Sequence, residues 1–244
     1  MALGPDNRPT LRTAQMTGAQ AHAADIDVGL RAYMLKVYNY MCIGLALTGA
    51  VAFATSTSPA MLQAIYGTPL QWVVMLAPIG MVFFLAARVH AMKASTAQAV
   101  FWVYAGLMGL SLAYVFIAFT GESVTRVFFI TAGAFAGLSL YGYTTKRDLS
   151  GMGSFLIMGV IGILIAAVVN IFLESSALQF AISVLGVLIF AGLTAYDTQR
   201  IKSIYYEGDS TEAAEKKAIM GALTLYLDFI NMFIFLLQLF GNRE

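Results

Sequence analysis

Seven long apolar stretches recur along the chain, separated by short polar connections. They run at roughly 31–56, 70–88, 96–120, 122–145, 151–173, 177–200 and 214–241, and each reaches the ~20 residues that a helix needs to cross a bilayer. The pattern predicts an all-α membrane protein with seven transmembrane helices. Ahead of them stands "MALGPDNRPTLRTAQMTGAQAHAADIDVGL", which is polar and rich in small residues. It lacks the basic start and short apolar core of a cleaved signal, so the first apolar helix is expected to act as an uncleaved anchor. The expected organisation is an irregular cytoplasmic tail at 1–30, a seven-helix domain at 31–241 and a short external C-terminus at 242–244.

Orientation follows from the cations that flank the spans, because Lys and Arg are retained on the cytoplasmic side. Arg8, Arg12, Arg31 and Lys36 stand on the N-terminal side. The second connection carries Arg88 and Lys93, the fourth Lys146 and Arg147, and the sixth Arg200, Lys202, Lys216 and Lys217. Of the opposite connections, only the third carries a cation, Arg126. The asymmetry puts the N-terminus in the cytoplasm and, after seven crossings, "GNRE" outside.

Composition narrows the function. The chain is 59% hydrophobic and 11% charged, against about a quarter charged in soluble domains. Its net charge of +1 gives no field to recruit nucleic acid. The single cysteine, Cys42, excludes an intrachain disulfide. His22 and His90 form no set with other ligands or nucleophiles, and no phosphate-binding loop appears. Small residues are spaced for helix packing: Gly133 and Gly137 on one face of the fourth span, and Gly159, Gly162 and Ala166 on one face of the fifth. A pore wall of bare backbone is the other use of such faces.

The last span, "GALTLYLDFINMFIFLLQLFG", carries the candidate chemistry. Stepping by threes and fours connects Gly221, Thr224, Asp228, Asn231, Phe235, Gln238 and Gly241 on one face. Among the polar residues of 221–241 only Tyr226 falls off this line. A polar stripe on a greasy helix suits the centre of a bundle, with the stripe facing a polar cavity; hydrogen bonds that only hold helices together are the alternative. An acid is harder to explain as glue. A charge at mid-membrane costs several kcal/mol unless paired, hydrated or protonated, so Asp228 is a functional candidate.

The sixth span supplies a second acid in "LIFAGLTAYDTQRIK". Asp197 shares a face with Thr194 and lies one turn before Arg200, with which an interfacial ion pair is the plain alternative. If Asp197 and Asp228 pair, both cannot ionise cheaply, and they should hold one shared proton over a wide pH range. That makes the pair a candidate pH sensor. Arg88, ending the second span on the cytoplasmic side, is a candidate latch for the singly ionised pair; a flanking cation that snorkels to headgroups is its alternative.

Three stretches resemble a known family: "LSLYGYTTKRDLSGMG" (138–153), "GLTAYDTQRIK" (192–202), and "GALTLYLDFINMF" with "LLQLFG" (221–241). With the seven-span layout they resemble the Bax inhibitor family, the transmembrane Bax-inhibitor-motif proteins, in its bacterial YccA-like branch. The resemblance covers roughly Leu30 to Gly241. It implies six helices packed around a central C-terminal seventh, in a bacterial inner membrane. It also implies a pH-sensitive calcium leak, with an aspartate pair as sensor at Asp197 and Asp228 and a latching arginine whose positional match is Arg88. Two departures stand out. Some relatives carry an acid in the second helix, and none occurs here between Asp27 and Glu122. Animal members have a charged C-terminal tail, and here only "NRE" follows Gly241. The "YGYTTKRDLS" stretch is expected to anchor the inner loop, with Asp148 capping the fifth span or pairing with Lys146 and Arg147.

Three functions compete. The first is a proton-regulated cation leak with calcium and protons as its ions and no cofactor. Asp197, Asp228, Thr224, Asn231 and water would supply a weak, transient calcium site, and Gln238 would extend the polar stripe; calcium prefers six to eight oxygens, and conduction needs weak binding. The second is a non-conducting regulator, since some bacterial relatives associate with a membrane-bound ATP-dependent protease. The third is an intramembrane aspartyl protease, which needs a glycine-x-glycine-aspartate motif. Residues 225–228 read "LYLD", so the chain is expected not to be an enzyme.

Overall fold

A computed structural model describes the backbone of residues 8–242 and the side chains of residues 28–242. The elements, in order, are α1 (Arg8–Ser56), α2 (Pro59–Tyr66), α3 (Leu70–Arg88), α4 (Ala94–Leu112), α5 (Val115–Ala118), α6 (Gly121–Thr144), α7 (Ser150–Leu173), α8 (Ser176–Ser203) and α9 (Thr211–Phe240). Seven of these segments are long and apolar enough to cross a membrane, and they match the expected spans to within a few residues. The third crossing, Ala94–Ala118, is α4 continued by α5 after a turn at 113–114. Helix starts follow local chemistry: the hydroxyls of Ser58, Thr120, Ser175 and Ser210 accept backbone N–H groups at the starts of α2, α6, α8 and α9.

The N-terminal stretch differs from expectation. α1 begins at Arg8, so residues 8–30, expected as an irregular tail, are helical. "LRTAQMTGAQAHAAD" is rich in good helix formers and has no proline after Pro9, so the first span's helix propagates backwards through it. Residues 1–7 of that tail, and Arg243 and Glu244 of the short C-terminus, lie outside the described residues.

α9 is the central helix. Of its apolar stretch 67% is buried, against 11–39% for the other spans. α1, α4, α6 and α8 pack directly on it, while α3 packs mainly on α4 and α7 on α8. This outcome follows from the residues off the stripe. Phe229 meets Phe128 and Phe135 of α6, with ring centroids 5.5 and 5.6 Å apart. Tyr226 packs edge-on against Phe101 and Tyr104 of α4. Its hydroxyl lies 2.6 Å from the Thr48 hydroxyl, which donates to the Ala105 carbonyl at 2.8 Å. The one polar residue off the stripe therefore ties α9 to α1 and α4.

Glycine packing also departs from the expected spacing. Gly133 and Gly137 face outward with open space around them, and so does Gly162, whereas Gly159 does pack, against Ile189 of α8. The inner face of α6 is instead the row Val127, Thr131, Phe135, Ser139 and Gly142. A Cβ on Gly142 would stand 2.1 Å from the Ala195 carbonyl oxygen of α8. Backbone cannot swing aside, so Gly142→Ala should destabilise by ~1–3 kcal/mol or more, while Gly137→Ala should be nearly neutral. Thermal unfolding in detergent checks both; equal melting temperatures would remove Gly142 as the α6–α8 contact.

Candidate functional site

α8 and α9 are antiparallel neighbours joined by a short connection, and the polar stripe of α9 lies in the seam between them. From the start of α9 onward, Gly221 meets Ile201, Asp228 meets Asp197, Phe235 covers Gly186 and stacks on Phe190, and Gln238 meets Gln179 and Ser183. Of the two readings open for the stripe, the structure therefore favours helix-to-helix packing over the wall of an open cavity. Thr224 and Asn231 donate to carbonyls of their own helix, Met220 at 3.0 Å and Leu227 at 2.8 Å.

The two acids come together. The Asp197 and Asp228 carboxyl groups face one another within hydrogen-bonding reach, at 7% and 4% exposure. With both groups ionised, the buried Asp228 Oδ2 has no donor. A proton on either carboxyl turns the contact into a hydrogen bond, which is the cheapest way to satisfy two facing acceptors in a low-dielectric interior. The charged side chain acting on Asp197 from nearby is Arg200, itself exposed.

Arg88 is not brought to the pair. It is exposed in the last turn of α3, whose packing is on α4 and α2 rather than on the α8–α9 seam. Among the described residues it forms no ion pair, and the latch expected from its position is not formed. Its end of α3 does lie on the membrane side where α9 begins, since Lys216 Nζ reaches the His90 carbonyl at 3.5 Å.

The seam has two polar ends separated by an apolar block. Toward the end of α9, Gln238 Oε1 accepts from Gln179 Nε2 and Ser183 Oγ, both at 2.9 Å, and Gln179 Oε1 accepts from Asn170 Nδ2 at 3.2 Å. These side chains line a polar cavity of about 400 Å³ that also includes Glu174. Between it and the aspartates stands Phe235, stacked on Phe190 at 5.9 Å between ring centroids. A Cβ on Gly186 would come within 2.5 Å of the Phe235 ring, so that glycine makes the space the ring occupies.

The hydroxyl neighbours of Asp197 on α8 bond within the helix and across to α6. Thr194 and Thr198 donate to the carbonyls four residues back, Phe190 and Thr194. Thr198 Oγ1 lies 2.9 Å from Ser139 Oγ, which lies 2.6 Å from the Tyr38 hydroxyl. Where α9 begins, Glu215 bonds Lys36 and Tyr40 of α1. The α6–α7 connection docks on α8: Gln199 accepts from the Leu149 N–H and donates to the Arg147 carbonyl. Asp148 accepts the Ser150 N–H at 2.9 Å, and bonding to Ser150 holds its carboxyl below the usual carboxylate range.

Tyr38, Ser139, Gln179, Phe190 and Glu215 were not among the expected site residues. Thr198 sits beside Asp197 in "YDTQ" and was within reach of sequence reasoning. The others become partners only through packing between spans. Among the described residues no group of three or more His, Cys, Asp or Glu is assembled that would hold a metal ion.

Residues 30–244 match the family described as "Inhibitor of apoptosis-promoting Bax1". The chain belongs to the Bax inhibitor family. Bacterial members resemble it over most of their length. A protein of Caulobacter vibrioides is 52% identical over 230 residues, covering 90% of this chain and 92% of the relative. The "Inner membrane protein YbhL" of Escherichia coli K12 is 44% identical over 219 residues, covering 88% of this chain and 94% of the relative. With seven candidate spans, this Bax inhibitor family member is a multi-pass integral membrane protein.

Proposed function

We propose that the chain is a proton-regulated cation leak with calcium as its ion, and that Asp197 and Asp228 are its sensor and a weak, passing ion site. The reading rests chiefly on two buried carboxyl groups in contact at the centre of the bundle. Retaining such a pair merely for stability is unfavourable, since apolar residues would fill the same seam at lower cost. Thr224 and Asn231 stand one turn to either side on the same face, and Gln238 opens toward the polar cavity beyond Phe235. The stacked Phe190 and Phe235 rings seal the seam, which corresponds to a closed state.

Acid is proposed to favour opening. At higher pH the pair carries a negative charge that attracts Arg200 toward Asp197; the final proton removes that charge and releases the cation toward water and headgroups. The proposal includes neither a cofactor nor an enzymatic reaction. Calcium influx into dye-loaded vesicles containing the purified protein, measured across pH, is the test. Flux that rises as pH falls supports the reading. Absence of flux at every pH overturns it, and co-purification of a membrane-bound ATP-dependent protease would then favour a non-conducting regulator.

We further propose a cytoplasmic N-terminus in a bacterial inner membrane. The expected consequence is an external C-terminus: Gly241 and Asn242 lie beside the α5–α6 connection, where Thr120 N donates to the Asn242 carbonyl at 3.1 Å. A reporter fused after Glu244 should be active only outside the cytoplasm. Activity confined to the cytoplasm would invert the assignment.

A further inference from the structure

α1 and α6 both pack on α9, and beside the Tyr38–Ser139 hydrogen bond that joins them they leave a groove open. The groove is about 800 Å³ in volume, floored by Phe229 and walled by side chains such as Met41 and Leu45 of α1 and Ala132 and Phe135 of α6. It continues into a smaller cavity of about 300 Å³ through Leu45, Ala46, Phe128 and Phe229. Its α1 wall runs from Arg31 to Ala46 and its α6 wall from Phe128 to Tyr143, each about 22 Å at 1.5 Å per residue. Half of the ~30 Å hydrocarbon core is shorter than that, so a chain that starts at headgroup level has room to lie along it.

Polarity is confined largely to one end. Arg31 is exposed there and has no ion-pair partner among the described residues. Tyr143 lines the same end, and Lys202 Nζ donates to its carbonyl at 2.8 Å while standing 4.9 Å from its ring centroid. Among the described residues no Asp or Glu lines the groove. An apolar trough one leaflet deep with cations at its headgroup end is complementary to an anionic amphiphile; basic clefts between transmembrane helices bind acidic headgroups in this way.

We infer that the α1–α6 groove is a binding site for an anionic phospholipid, with an acyl chain along Phe229 and the phosphate at Arg31. The occupant comes from the leaflet into which Arg31 faces. A protein helix seated there would have to bring its own acid to Arg31 while filling a trough open to lipid. Neither aspartate is among the residues that line the groove, and its test reads lipid contact rather than ion flux.

Cys42 is the only cysteine in the chain, and it is exposed and lines the groove. A small fluorophore on it reports what fills the groove. The labelled protein is placed in phosphatidylcholine vesicles with a low, equal mole fraction of either phosphatidylglycerol or phosphatidylcholine carrying brominated chains. One cation near a membrane surface is worth roughly fivefold in binding an acidic headgroup, so brominated phosphatidylglycerol should quench with about that preference. Arg31→Gln should abolish the preference and Arg31→Lys should retain most of it. Equal quenching by the two lipids in the unsubstituted protein overturns the site. Absence of quenching by either also overturns it, because protein then covers the groove. Native mass spectrometry of unlabelled protein is the second measurement: phosphatidylglycerol should stay bound and be lost in Arg31→Gln, and equal retention by both overturns the headgroup assignment.

Discussion

Asp228→Asn should flatten the pH dependence of calcium flux while leaving the fold intact. Asparagine keeps the shape of the side chain and can still donate a hydrogen bond to Asp197. It removes one of the two groups of the pair that can bind a proton. A single linked proton changes an open-to-closed ratio by at most about tenfold per pH unit, which bounds the wild-type response and hence the loss. The sign follows from the charge: if acid opens the leak by neutralising the pair, the variant, with one titrating group removed, gains less on acidification. Thermal stability should hold or rise, since a buried amide costs less than a buried carboxylate. Flux measured in vesicles at several pH values, at equal protein density, checks this. An unchanged pH profile would sink the sensor assignment even if the leak itself is real.

Phe235→Ala should open the seam at every pH. Phe235 stands seven residues beyond Asp228, about 10 Å along the helix, and one turn before Gln238. Its ring fills the space over Gly186 and stacks on Phe190. Truncating it joins the polar cavity around Gln238 to the aspartate pair and removes the apolar block between them. Phe235 is only partly buried, so the same change should lower stability by less than the ~3–5 kcal/mol of a fully buried ring. Phe235→Leu keeps most of the volume and should leak less. Raised, pH-insensitive flux in the alanine variant, with the leucine variant close to wild type, supports the block. If the alanine variant remains folded and stays as tight as wild type, access to the pair must run elsewhere.

Spans, helix class and the polar face of α9 were readable from residue order alone. In a bilayer each backbone N–H must find its partner within the helix, so an apolar run of sufficient length dictates a spanning helix with little help from its neighbours. Periodicity is equally local: 3.6 residues per turn puts Gly221, Thr224, Asp228, Asn231, Phe235 and Gln238 on one face whatever surrounds them. Asp197 and Asp228, set among apolar residues of their spans, were conspicuous for the same reason. What the face meets is a different kind of question. Only packing decided that the stripe is the α8–α9 seam, that Gly142 rather than Gly133 and Gly137 carries the α6–α8 contact, and that α3 holds Arg88 away from the aspartates. The backward extension of α1 through residues 8–30 also escaped the polarity pattern, because polar residues with good helix propensity do not announce an irregular tail. Partners such as Gln179 with Gln238, or Tyr38 with Ser139, lie 59 and 101 residues apart in the chain. Their meeting depends on how spans are ordered around α9. That order is set by the sum of many side-chain contacts between helices, since lipid is as apolar as the helix surfaces and gives no simple inside-to-outside gradient to read.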